Sequence, residues 1–244
     1  MEIESTGRRE NIQAYSMMKI YKAYALNRIS IGSLLVLSSV PLILLLIVAV
    51  DEPLAGLLHR HGALLRPFFV GFMWVHDATT TPLLTPWLWL ALLLVFAVAR
   101  LRRWPHCTIW LVALLTFVSS QGLRNMMALY FHRPRPWQVF GDLAANADFW
   151  QLAGRFNAFP SGHAANAAGL LLPWALRFPR ARPWLLGWLG LVCLGRVVLE
   201  FHWLSDVVAG AALGLLLTCI WELATGWLQP VPIIQATSPV PNAS

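Results

Sequence analysis

Residues 29–50 contain no charged side chain, and that run limits the possible folds more than any other feature. A helix needs about 20 apolar residues to cross the hydrocarbon core of a bilayer. The run is too long for a secretory h-region and no small-x-small cleavage site follows it, so it reads as an uncleaved anchor. Five more apolar segments follow, at 82–99, 107–131, 161–176, 184–199 and 207–228. Backbone inside a bilayer has no water to bond, so segments of this length are expected to be helical. The expected fold is an all-α, polytopic membrane bundle of six transmembrane helices. Residues 54–78 carry His59, Arg60, His61 and Arg66 around short apolar runs. They read as an amphipathic membrane-surface segment rather than a seventh span.

Composition supports a bilayer solvent. Charged residues make up 12% of the chain and hydrophobic ones 58%, and the mean hydropathy is +0.61. A soluble domain carries about 25% charged residues. The 13 Trp fit a chain that meets lipid headgroups. The net charge of +7 does not point to nucleic acid, because the basic residues cap apolar segments instead of forming a surface run with interleaved aromatics. Cys107, Cys193 and Cys219 lie in or beside apolar runs and read as small buried hydrophobes. No Cys-x2-Cys or His-x3-His spacing offers a structural metal site, and none is expected.

The sequence divides into a cytoplasmic amphipathic segment (1–28), the six-span domain (29–228) and a disordered tail (229–244). Ile12, Tyr15, Met18 and Tyr21 are spaced to form one face of an expected interfacial helix in the first part. Arg8, Arg9, Lys19, Lys22 and Arg28 precede the first span. Arg100, Arg102 and Arg103, then Arg177, Arg180 and Arg182, fall in loops on the same side. The positive-inside rule makes that side cytoplasmic. Arg124, Arg133, Arg135, Arg155 and Arg196 then gather at the outer face, which is the periplasm if the membrane is a bacterial inner membrane.

Three polar motifs fall at that outer end: Arg133-Pro134-Arg135-Pro136, Pro160-Ser161-Gly162-His163, and Arg196 followed by His202 and Asp206. Ser161 and Gly162 open a helix, where unpaired N–H groups and the positive dipole end favour an anion. His163 sits in its first turn. Arg135 and Arg196 offer planar, permanently charged forks for phosphate oxygens. An Asp206 carboxylate set on one nitrogen of His202 leaves the other as a nucleophile with a defined tautomer. Taken singly, each motif has a duller reading: a helix cap, a snorkelling anchor, a stiff Pro-rich loop. Together, in apolar spans where ionisable groups are costly, they indicate one anion-handling site.

The pattern resembles the type 2 phosphatidic acid phosphatase superfamily, whose signature runs Lys-x6-Arg-Pro, Pro-Ser-Gly-His and Ser-Arg-x5-His-x3-Asp. The resemblance covers residues 51–228 and implies a six-span membrane form with its active site at the outer end. It implies His202 as the nucleophile that becomes phosphohistidine, Asp206 as its orienting partner, and His163 as general acid and then base. Arg135, Arg196, Ser161 and Gly162 would bind the phosphoryl oxygens, without a metal or other cofactor. The substrate implied is a membrane lipid phosphate or pyrophosphate; undecaprenyl pyrophosphate, phosphatidylglycerol phosphate, phosphatidic acid and lipid A all fit. A phosphotransferase drawing on an isoprenyl pyrophosphate is the alternative enzyme. A non-catalytic lipid-binding or transport protein would not need both histidines and Asp206.

Three positions depart from that signature. Ala128 stands where the lysine is expected, Gly195 where the serine is, and Glu200 where a small residue usually precedes the nucleophile by two. Arg124, one turn before Ala128, is the favoured stand-in for the lysine, with Arg133 as the other candidate. Glu200 is expected to pair structurally, with Arg196 four residues before it as the nearest partner.

Overall fold

The computed structural model describes residues 29–80, 85–141, 149 and 156–228. The expected amphipathic face at 12–21 and the tail at 229–244 lie outside the described residues. All regular structure among the described residues is helical. Each of the six apolar segments forms one helix: α1 (Ile29–Ala49), α4 (Thr85–Leu101), α5 (Thr108–Phe131), α7 (Gly162–Arg177), α8 (Arg182–Val198) and α9 (Leu204–Thr225). The amphipathic segment forms α2 (Asp51–His61) and α3 (Arg66–Thr80), joined by a single 3-10 turn, and α6 (Pro136–Phe140) is a short helix after the Arg-Pro repeat. By length and composition, α1 and α9 are apolar enough to cross a membrane, with mean hydropathies of 2.7 and 2.0.

Helix α7 is the centre, packed against α5, α8 and α9. Its small residues make this possible. Ala164, Ala165, Ala167 and Ala168 are buried, and α9 meets them through Gly210 and Gly214. A Cβ on Gly214 would lie 2.5 Å from the Ala168 Cβ and 2.9 Å from the Ala165 carbonyl oxygen. Helices without side chains at the crossing approach closely, which holds their ends in register.

Both ends of the bundle are tied by buried polar contacts. At one end the Arg177 guanidinium makes a two-pronged pair with Glu222, at 2.7 and 2.8 Å, and donates to Thr108 Oγ1 at 3.0 Å. Arg177 therefore joins α5, α7 and α9 rather than standing as a free loop charge. The three motifs meet at the other end. There α5 stops at His132, which takes a left-handed conformation (φ 48°), and Pro134 cannot extend the helix.

Candidate active site

The third motif is shaped by the end of α8. The N–H groups of Glu200 and Phe201 donate to the carbonyls of Val197 and Arg196, both at 3.0 Å, and Glu200 has φ 59°. This is a Schellman closure with a glutamate where glycine is usual. It reverses the chain within a few residues and brings His202 back beside Arg196. Glu200 is held by ion pairs to Arg66 of α3 and His59 of α2, the latter at 3.1 Å. The expected Glu200–Arg196 pairing is thus corrected: α2 and α3 supply the partners and leave the Arg196 guanidinium to the cavity.

Opposite this turn, Asp206 caps α9. Its Oδ2 accepts from the Trp203 N–H at 2.9 Å, and its Oδ1 accepts from Arg133 Nη1 at 2.6 Å. The other Arg133 prong reaches Asp51 at 2.8 Å, and Ser205 donates both its N–H and its hydroxyl to that same Asp51. Arg133 is thus buried between two carboxylates, over the rings of Phe149 and Trp203. It does not line the cavity.

A cavity of about 640 Å³ opens at this end. Arg124, Arg135, Arg196, Gly162, His163 and His202 all line it, drawn from α5, the Arg-Pro loop, α7, α8 and the turn before α9. Arg124 reaches it from inside α5. It donates to the Pro160 carbonyl at 3.2 Å and to the Asn157 carbonyl at 2.9 Å, while Arg135 donates to the Asn157 side chain at 3.0 Å. Gly162 makes room for this arginine, since a Cβ there would stand 3.1 Å from Arg124 Nε. Phe201 lies under Arg196 at 4.4 Å and under Arg135 at 5.9 Å, a ring face that holds two like charges near each other. Burial lowers the Arg135 pKa, with Asp206 opposing that shift. Guanidinium pKa values are high enough that it remains a cation.

Ser161 is placed differently from Gly162. Its side chain is fully buried and caps α7, accepting from the Ala164 N–H at 3.5 Å, and its own N–H is spent on the Asp206 carbonyl at 3.0 Å. Its role in the site is to start the helix. Asn166, one turn into α7, accepts from Ser120 at 3.1 Å and also lines the cavity.

The two histidines have contrasting surroundings. His202 is 2% exposed, and its Nδ1 lies 2.8 Å from the Ala158 carbonyl oxygen, with Asp206 Oδ2 at 3.6 Å. A carbonyl can only accept, so Nδ1 carries the proton and Nε2 is left with a free lone pair. Burial lowers the His202 pKa to about 4, against the opposing pull of Asp206. It is therefore neutral at pH 7. His163 is one-third exposed, and its Nε2 lies 3.0 Å from Asp77 Oδ1 of α3. Burial raises the Asp77 pKa, but the hydrogen bond and charge of His163, with Arg196 adding to them, bring it below the usual carboxylate value.

The sequence reading missed Asp51, Asp77, Asn157 and Phe201. Only Phe201 had a nearby signal, being adjacent to the nucleophile candidate. The two aspartates lie far from the motifs in sequence and reach them only through folding.

Converging guanidiniums, a neutral buried histidine and a second histidine beside a carboxylate line one cavity of a helical bundle, with charge suited to an anion. Residues 109–229 match the PAP2 superfamily, and the chain carries a domain of that family. Lipid A 1-phosphatases of Rhizobium etli and Rhizobium johnstonii are each 36% identical to it over 112 residues. That stretch covers 43% of this chain and 46% or 44% of the relative, so the chain spans less than half the length of the curated relatives it matches. No solved structure gives a significant match.

Proposed function

We propose that the protein is a metal-independent membrane phosphatase that removes phosphate from a lipid at the outer leaflet. The carrying observation is the convergence of Arg124, Arg135, Arg196, His163 and His202 on one cavity. Phosphoryl transfer asks mainly for positioning and charge stabilisation, which three guanidiniums supply without a metal.

In this reading His202 Nε2 attacks phosphorus while Nδ1–H stays bonded to the Ala158 carbonyl. Arg124, Arg135 and Arg196 hold the equatorial oxygens, and the Gly162 end of α7 adds its dipole. Arg124 thereby takes the charge that the family lysine would bring to the Ala128 position. His163 gives a proton to the departing oxygen, then takes one from the water that hydrolyses the phosphohistidine. Arg133 and Asp51 act behind Asp206, keeping the α9 cap and the His202 turn in place.

The helices α1, α4, α5, α7, α8 and α9 are read as six spans. The site end faces the periplasm of a bacterial inner membrane, opposite Arg100, Arg102, Arg103, Arg180 and Arg182. The names of the Rhizobium relatives favour a lipid A-type 1-phosphate, and the cavity lies in the size range of small-ligand sites. Phosphate release from purified lipid A, phosphatidic acid, phosphatidylglycerol phosphate and undecaprenyl pyrophosphate tests this. Lipid A should be the best substrate, with turnover unaffected by EDTA. Release from none of the four, or loss in EDTA with recovery in Mg²⁺, would overturn the proposal.

A further inference from the structure

The carboxylate of Asp77 lies on α3, outside the three motifs and outside residues 109–229, yet it lines the same cavity as the arginines. A carboxylate in an anion site opposes phosphate binding unless another role offsets the repulsion. Its position identifies that role. Asp77 Oδ1 is buried and lies 3.0 Å from His163 Nε2, the one side chain it pairs with among the described residues.

The placement depends on a departure in the third motif. Helix α3 packs on α8 at Gly195, where a Cβ would sit 3.0 Å from Phe69 and 3.2 Å from Met73. Met73 and Asp77 are four residues apart and share a face of α3. With glycine at position 195, α3 lies close enough for that face to reach the start of α7. The Arg66–Glu200 and His59–Glu200 pairs tie α3 and α2 to the same turn. Position 195 and the Glu200 substitution both bear on where α3 sits.

We propose that Asp77 is the positioning residue for His163, binding Nε2 so that Nδ1 faces the leaving-group oxygen. In the first step the Nδ1 proton passes to that oxygen as the P–O bond breaks and its electron pair stays on oxygen. The imidazole left behind keeps its Nε2–H on Asp77, so Nδ1 has the free lone pair that takes a proton from water in the second step. Both steps use one nitrogen, and the ring need not turn. His76 of α3, Arg196 of α8, Arg124 of α5, Arg135 and His202 also face this pair. The positive charges of the three arginines offset Asp77's effect on substrate affinity.

The inference rests on the proposed role of His163, and the test separates the two. Steady-state kinetics on the detergent-solubilised full chain would compare a lipid phosphate, with its poor alkoxide leaving group, and nitrophenyl phosphate. His163→Ala should slow the lipid substrate far more than the nitrophenyl ester; equal losses there would refute the acid role itself. With that role standing, Asp77→Asn should lower kcat on the lipid by about 10-fold or more, with a much smaller loss on nitrophenyl phosphate and little change in KM. Asp77→Glu should recover part of the loss, and Asp77→Asn/His163→Ala should be no slower than His163→Ala. Equal losses on both esters, or additive losses in the double variant, would overturn the positioning role. Gly195→Ser, which pushes α3 outward, should give the same leaving-group pattern in milder form.

Discussion

Two arginines nine residues apart, Arg124 and Arg133, should fail in opposite ways when removed. Arg133 lies between Asp51 and Asp206 with its side chain 3% exposed, and both carboxylates are as deeply buried. Taking one partner from a buried ion cluster leaves uncompensated charge and costs about 3–5 kcal/mol. Arg133→Met should therefore lower Tm by roughly 10 °C for a chain of this size, read by thiol-reactive dye unfolding in detergent. Adding Asp51→Asn removes one of the stranded charges and should recover part of the loss. Arg124 lines the cavity and its hydrogen bonds run to backbone carbonyls and Asn125. Arg124→Ala should leave Tm within a few degrees while kcat/KM falls about 10²-fold, the usual consequence of losing one transition-state charge contact. An Arg133→Met protein of normal Tm with a 10²-fold activity loss would refute the assignment. So would near-normal activity in Arg124→Ala.

Four further outcomes can be checked on the same protein. The ¹⁵N resonances of the His202 ring should report the neutral Nδ1–H tautomer from pH 8 down to pH 5, because burial holds its pKa near 4; a midpoint between 6 and 7 would contradict this. The same shift makes folding favour neutral His202, so its contribution to stability is full above the unfolded pKa of about 6.5. That contribution should decline as pH falls from there toward 4, seen as a falling Tm that a His202→Gln variant shows less steeply. Gly214→Val should disrupt the α7–α9 crossing and sharply reduce folded yield in size-exclusion chromatography; normal yield would mean the helices are less closely packed than described. In a background lacking Cys107, Cys193 and Cys219, a cysteine introduced within residues 138–150 should react with an impermeant thiol reagent in intact spheroplasts. Labelling only after lysis would reverse the proposed topology.

The local part of this architecture was readable from sequence because local rules govern it. Each apolar run became one helix, and Ser161 became a cap. The motif residues Arg135, His163, Arg196 and His202 were legible by type and spacing, and the fold brings them to one cavity with Arg124. What sequence could not give is which distant side chain answers each of them. Arg133 and Arg135 look alike in the Arg-Pro repeat, but one turns to Asp51 and Asp206 and the other to the cavity, a choice made by α2 and α9. Glu200 was expected to pair, and it does. Its partners are the α2–α3 residues His59 and Arg66 because the Schellman turn rotates it away from Arg196. Asp77 carried no sequence signal, since its meaning depends on how closely α3 approaches Gly195.

The central claim is that His202 takes the phosphoryl group covalently. Rapid acid-free denaturing quench of the enzyme with a ³²P-labelled lipid phosphate tests it most directly. Wild type should carry label that is stable to base and labile to acid, as a phosphohistidine is, and His163→Ala should slow its formation on the lipid substrate. His202→Ala, folded and able to bind the lipid, should carry none and turn nothing over. Label of unchanged amount on His202→Ala, or turnover by wild type with no label at any quench time, would contradict the account.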